Sequence, residues 1–320
     1  MTAEQRAALI KRRARELGFE SVGITDLSPP PHRDALRRWL ESGMAGEMIY
    51  MHRQAGRRTE PALILEGATR AVLVTRNYFT PDTGHTAGSG RIAKYARGRD
   101  YHDALAEPLE RLSQYVRSLG DTHTVAGAWL DAGPVPEREL AQRAGVGWIG
   151  KNTMLIHPAH GSFFFIGSVL TDLDISTDIP FTADRCGTCR RCLDACPTAA
   201  FPESRVLDSR RCISYLTIEH RGSIAADLQN LMDDWIFGCD ICQDVCPWNL
   251  RFAVPADDPT LESDPRLGFV NLAELAGMTD DDFEQRFSWT ALERPGASMM
   301  RRNARIAAAG LNRDPPLPPG

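Results

Sequence analysis

The first 185 of the 320 residues contain no cysteine, and no apolar run approaches the ~18 residues needed to span a bilayer. The opening stretch, Met1–Glu20, reads as a charged amphipathic helix without the apolar centre of a secretory signal, and no twin-arginine leader is recognisable. These absences argue against export and membrane insertion, so a cytoplasmic protein is expected. Lysine is scarce as well. Only Lys11, Lys94 and Lys151 stand among 37 basic residues, which makes the basic surface an arginine surface. No Gly-x-Gly-x-x-Gly follows a strand pattern, and Gly145–Lys151 lacks both the Walker spacing and a Ser/Thr after its lysine. A nucleotide-binding fold is therefore unsupported.

What is present is an ordinary globular composition, 42% hydrophobic and 25% charged, long enough for about two domains of ~150 residues. The net charge of −5 conceals a gradient. Residues 1–100 hold 17 Arg and Lys against 11 Asp and Glu, a net of +6, so residues 101–320 carry −11. Between Asp227 and Glu284, 14 acids accompany only Arg251 and Arg266. A polyanionic partner would dock on the N-terminal half, because arginine clusters pair with phosphates.

Apolar spacing predicts helices over 3–18, from Pro31 to about Ser42, over 102–119 and from Pro136 to about Ala144. Strands are predicted over 21–25, 71–75, 122–130 and 163–170. Met44–Pro61 and Pro81–Gly90 read as loops, and the cysteine-bearing segment 184–247 as loop-rich. Beyond Arg251 an acidic stretch precedes a short helix over 301–311. Helices and strands mix through residue 180, so the fold class expected is α+β.

All eight cysteines lie between Cys186 and Cys246, and such clustering argues for metal rather than disulfides. Cys186-x2-Cys189-x2-Cys192-x3-Cys196-Pro197 is the bacterial ferredoxin run, in which the fourth cysteine ligates the neighbouring cluster. Cys239-x2-Cys242-x3-Cys246-Pro247 repeats its last three positions, and a strict repeat would put the missing cysteine at Ile236. Cys212 is the one spare thiol. Cluster one then takes Cys186, Cys189, Cys192 and Cys246, and cluster two takes Cys196, Cys212, Cys239 and Cys242. Zinc also accepts Cys-x2-Cys pairs, but it requires neither this run nor the Cys-Pro endings. Two adjacent 4Fe–4S clusters mean one-electron transfer, supplied by an external donor.

Several further stretches resemble one family. Tyr95–His102, Asp131–Arg138, Ala144–Thr153, Gly161–Phe165, Arg211–Thr217 and Phe237–Asp240 are similar, in collinear order from about residue 5 to 312, to the epoxyqueuosine reductases. The resemblance implies a cobalamin-dependent reduction of epoxyqueuosine to queuosine at the wobble position of tRNA. It also implies a nitroreductase-like corrinoid domain over 1–180, a ferredoxin-like two-cluster domain over 181–253 and an acidic, partly helical segment over 254–320. Cobalt would carry no histidine. Asp121-x-His123 with Gly127 misses the corrinoid-ligand pattern by one residue, so His123 is read as a strand residue.

Under this resemblance Asp131, at a predicted strand end before Gly133-Pro134, matches the proton donor, and Arg138 is a substrate or tRNA-phosphate contact. Loops that would meet the corrinoid hold Arg57, Lys94, Tyr95, Arg97, Lys151, Asn152, Thr153 and Leu155. Ser214 and Thr217, just after Cys212, would line the gap between corrinoid and clusters. His157 and His160 sit in a loop that could meet tRNA, and a monomer is expected. Two other functions share some of these features: a corrinoid iron–sulfur reductive dehalogenase, and an electron carrier without catalysis.

Overall fold

The computed structural model describes residues 1–82, 84 and 86–311. Thr83 and His85, in the expected 81–90 loop, and residues 312–320, at the end of the C-terminal segment, lie outside the described residues.

Thr2 caps α1 (Ala3–Glu16) through a capping box with Gln5, and β1 (Ser21–Asp26) follows. Next come α2 (Arg33–Glu41) and two short helices, α3 (Ile49–Arg53) and α4 (Ala55–Thr59), where a loop is predicted. Their one-turn length leaves little periodicity to read. Strands β2 (Arg70–Asn77) and β3 (Ser89–Ile92) precede the long α5 (Tyr101–Ser118), and β4 (Ala126–Leu130) precedes α6 (Glu137–Arg143). A two-residue hairpin, β5 (Trp148–Ile149) and β6 (Leu155–Ile156), leads to β7 (Phe164–Thr171).

β1, β2, β7 and β4 form an antiparallel sheet in that order. Its side-chain alternation is legible on β2. Val72 and Val74 pack with Ile10, Ala14, Leu109 and Leu112 of α1 and α5, whereas Ala71 and Leu73 pack with Leu140, Ala141 and Ala144 of α6. Both faces are therefore covered. Gly23 allows α6 to close on β1, because a Cβ there would meet the Ala144 carbonyl oxygen at 2.2 Å.

β4 begins at Ala126, four residues later than predicted. The Asp121 carboxylate accepts the His123 N–H at 2.8 Å and makes a turn of residues that would otherwise extend the strand. His123 is thus a turn residue, not a strand residue.

A second, three-stranded sheet joins distant segments. β3 pairs in parallel with β8 (Trp235–Phe237) and antiparallel with β9 (Phe269–Asn271). The acidic stretch is more structured than predicted. It supplies β9 and the helices Leu272–Gly277 and Asp280–Phe287, and the terminal helix spans Gly296–Leu311 rather than starting at 301. Asn303 of that helix, fully buried, donates to the Thr217 and Ile236 carbonyl oxygens at 2.9 Å each. Asn303→Ala leaves both acceptors dry and should lower stability by about 1–3 kcal/mol, read as a lower urea midpoint.

Candidate active site

β4 ends at Leu130, and Asp131 turns the chain through a left-handed conformation (φ 49°) that a short polar side chain tolerates. Its residue surface is exposed, and two contacts fix it. The Tyr101 hydroxyl donates to Asp131 Oδ2 at 2.5 Å, and the Asp131 N–H donates to Glu137 Oε1 at 2.9 Å. Tyr101 stacks on Phe165 (4.3 Å) and His102 (4.1 Å), so an aromatic sandwich holds the donor hydroxyl. Burial, reinforced by the Asp131 charge, raises the Tyr101 phenol above its ordinary value, so that it stays a donor. His102 is raised in turn by its bond to Asp100, 2.8 Å away.

Arg58 approaches from α4 and donates to the Gly133 carbonyl at 3.0 Å, tying that helix to the Asp131 turn. Its buried Nε has no partner among the described residues, and burial lowers its ordinary value. The charges of Glu219, Arg294, Arg58 and Asp131 all reach Tyr50, while Arg294 and Glu219 form an ion pair. Asp131, Glu137, Arg58, Tyr50, Glu219 and Arg294 thus face one region from five segments of chain. Glu137 keeps some solvent contact as a residue, yet its carboxyl is deep enough that burial, then the Asp131 charge, pushes it up to about 8.

The cysteines fall into two groups by mutual electrostatic reach. Cys192 feels Cys186, Cys246 and Cys189, and Cys246 feels Cys186 and Cys189. Cys239 feels Cys212 and Cys196, and Cys242 feels Cys239 and Cys212. By this reach Cys186, Cys189, Cys192 and Cys246 fall together, as do Cys196, Cys212, Cys239 and Cys242, and Cys192 with Cys242 bridges the groups. Burial raises the Cys212, Cys239 and Cys242 thiols, a cost that binding to a cationic iron core offsets. Among the described residues no three His, Cys, Asp or Glu close on one point as a single ion requires. A cubane, with four irons between four thiolates, asks for a wider quartet than the tetrahedron of a zinc ion does, so the donor set fits two clusters.

The model of the epoxyqueuosine reductase QueG (DUF1730) family matches residues 58–130, and that of the 4Fe-4S double cluster binding domain matches residues 185–249. An epoxyqueuosine reductase of Cellulophaga algicola is 39% identical over 94% of this chain and 98% of its own length. The chain belongs to the epoxyqueuosine reductase family. A crystal structure of an epoxyqueuosine reductase with a tRNA-Tyr epoxyqueuosine-modified stem loop superposes with a TM-score of 0.88 at 28% identity, covering 96% of this chain and 82% of that one. The Bacillus subtilis enzyme, with its catalytic aspartate loop swung out of the active site, gives 0.87 at 27%, with the same coverage. A catabolic reductive dehalogenase (TM-score 0.52, 19% identity, 97% and 38% coverage) shares the fold alone.

For a member of this family, the residues expected around the corrinoid are placed unevenly. Tyr95 lies between Tyr78, Tyr101 and Phe237, and the charge of Asp131 reaches it. Thr153, at φ 66°, presents its carbonyl to Arg138 Nη1 at 2.8 Å, beside α6, and Ser214 is half-buried. Arg57 is exposed on α4; its neighbour Arg58 is the arginine that reaches the Asp131 turn.

Others are engaged in internal contacts, several of them with the cysteine segment. Buried Lys94 bonds Asp82 and Asp244 at 3.1 and 2.8 Å and sits 3.7 Å from Asp240. Buried Arg97 bonds Asp82 and the Ile92 carbonyl, although its Nη2 is unpartnered among the described residues. Lys151 donates to the Gly187 and Cys189 carbonyls, and Asn152 to that of Cys242. The Thr217 hydroxyl receives the Gly238 N–H beside Cys239, and Leu155 lies in the core. His157 and His160 stack at 4.4 Å, and burial lowers His157 to about 4.

Proposed function

We propose that Asp131 is the proton donor of a tRNA-modifying reductase in which residues 1–180 bind cobalamin and substrate and residues 181–253 hold the clusters. The reaction is reduction of epoxyqueuosine to queuosine in tRNA, with two 4Fe–4S clusters and cobalamin as cofactors. The observation that carries the role of Asp131 is its place as an exposed residue on a fixed turn, with one carboxyl oxygen bonded to Tyr101. An opened epoxide leaves an oxygen that departs only once protonated, and a carboxylic acid beside it supplies the proton.

Fit to a large ring with amide arms is supported by two features of this region. Arg58 Nε is buried and unpartnered, and the loop carrying Thr153 offers backbone polar groups beside α6. Tyr95, Thr153 and Ser214, joined by Arg58, are the residues that would hold the corrinoid. Bound there, it would supply a strong one-electron reductant able to attack carbon. Lys94, Arg97, Lys151, Asn152 and Thr217 are better read as the frame that seats the clusters against the corrinoid domain. Residues 254–311 would brace that frame through β9 and Asn303.

The tRNA would approach over α2–α4. Arg58 ties α4 to the Asp131 turn, and exposed Arg38, Arg53 and Arg57 lie on this stretch. Affinity for a stem loop should fall steeply with salt as phosphate contacts release counterions. Salt-independent binding, or protection confined to Asp227–Glu284, would overturn this path. We place the enzyme in the cytoplasm as a monomer fed by an external one-electron donor; no helix among the described residues is long and apolar enough to cross a membrane.

The deciding experiment is anaerobic incubation of chemically reduced holoenzyme with a stem loop carrying epoxyqueuosine, read by mass spectrometry. Loss of one oxygen atom from the modified nucleoside is expected. Halide release from a haloarene with no reaction on the stem loop would instead favour the dehalogenase reading, and protein that holds no corrinoid would favour an electron carrier.

A further inference from the structure

Converting an epoxide to an alkene breaks two carbon–oxygen bonds, forms one carbon–carbon π bond and releases the oxygen as water. The electron pair comes from the reductant of the family's reaction. Two protons are also consumed. Asp131 can deliver one, after which it is a carboxylate and cannot deliver the other until it is recharged.

Glu137 is fixed to the backbone of the same residue. Its Oε1 accepts the Asp131 backbone N–H at 2.9 Å, which fixes the Glu137 carboxyl to the same turn. Tyr101 occupies Asp131 Oδ2, while among the described residues Asp131 Oδ1 has no hydrogen-bond partner. The charged groups facing Glu137 are Asp131 from the turn after β4, Arg58 from α4 and Arg138 from its own helix. Both guanidiniums, and the position in the first turn of α6, favour a charged Glu137. Burial, joined by the Asp131 charge whenever that carboxyl is ionised, outweighs them, and the Glu137 carboxyl is pushed up to about 8. A carboxyl whose burial favours its neutral form is thus fixed to the Asp131 turn, and among the described residues its side chain makes no ion pair and no hydrogen bond besides that to the Asp131 N–H.

We propose that Glu137 holds the second proton of the reaction and returns it to Asp131 after the first transfer. The inference rests on the epoxide-reducing role of Asp131. Glu137 is a relay acting through Asp131 and need not touch the substrate. On this reading Tyr101 keeps Asp131 Oδ2 oriented while Oδ1 exchanges protons.

Glu137→Gln keeps an amide oxygen for the Asp131 N–H and carries no transferable proton; Glu137→Asp restores the acid at shorter reach. In the holoenzyme at pH 7, infrared difference spectroscopy should find a protonated carboxylic acid that Glu137→Gln lacks. In single-turnover reduction of the stem loop, the wild-type rate should hold at neutral pH and fall as pH rises through about 8, when Glu137 ionises. Glu137→Gln should be slower by about tenfold or more at pH 7 and should lose that alkaline fall, with Glu137→Asp recovering part of the rate. Cobalt, iron and stem-loop affinity should stay at wild-type values. The proposal is overturned by a Glu137→Gln rate and pH profile matching wild type, by absence of the infrared band, or by a rate loss that tracks lost cofactor. A wild type unable to reduce the stem loop would sink the functional reading instead, and the infrared comparison would still judge Glu137.

Discussion

Asp131→Asn should reduce the epoxide some 10²–10⁴-fold more slowly than wild type in a single turnover, equivalent to about 3–5 kcal/mol of barrier. The substitution keeps the size of the side chain. An amide oxygen can still receive the Tyr101 hydroxyl, and the backbone N–H to Glu137 is untouched, so the turn should persist. Asparagine tolerates the left-handed conformation at this position as well as aspartate does. What it loses is the transferable proton. Cobalt and iron contents should therefore match wild type, and the comparison is made at matched contents with dithionite-reduced enzyme. A variant within a few-fold of wild type would make Asp131 a turn residue and move the donor elsewhere.

The position of Asp131 on a turn was legible because its cue is local: the end of a strand, a Gly-Pro break and a short acid between them. The thiols were legible for the same reason. Ligand spacing is a property of the chain, and the electrostatic grouping of the thiols exchanges the last cysteine of each run, as the ferredoxin pattern implies. The contacts of Arg58 and Glu137 with the Asp131 turn were not legible. Arg58 differs from Arg57 only in which way a one-turn helix faces, and Glu137 differs from a surface acid only in what packs over it. Tyr101 and His102 lay within a quoted motif, but their part emerges only when β4 and α5 bring Asp131 to the ring. Lys94 stood out by the rarity of lysine. Its three carboxylate neighbours come from residues at distances of 12 and about 150 positions, which no local pattern encodes. The main sheet is legible in outline because β2 and β7 each carry a largely buried, largely apolar run, over 71–74 and 164–170. The small sheet was missed because β3, β8 and β9 are three or four residues long and meet only through tertiary contact.

Cys212→Ser should leave about four of about eight irons per chain, because it removes one of the four thiolates of the second quartet. Cys212 is the test of the crossed assignment, since it belongs to neither run and stands alone at the start of the helix Ile213–Ile218. Its thiol is buried and receives the backbone N–H groups of Tyr215 and Ser214, the environment of a thiolate held for a ligand. Loss of one cluster could destabilise its neighbour, so the single variant is compared with two doubles. Cys196 shares the second quartet although it closes the first run; Cys246 shares the first quartet although it closes the second. Adding Cys196→Ser to Cys212→Ser removes a second ligand from a cluster already lost, and iron should stay at about four. Adding Cys246→Ser strikes the surviving cluster, and iron should fall towards zero. Ligation without crossing predicts the reverse order for the two doubles. Iron and sulfide analysis of anaerobically reconstituted protein, with the reduced-state electron paramagnetic resonance spectrum collapsing from two interacting centres to one in the first double, separates the two arrangements.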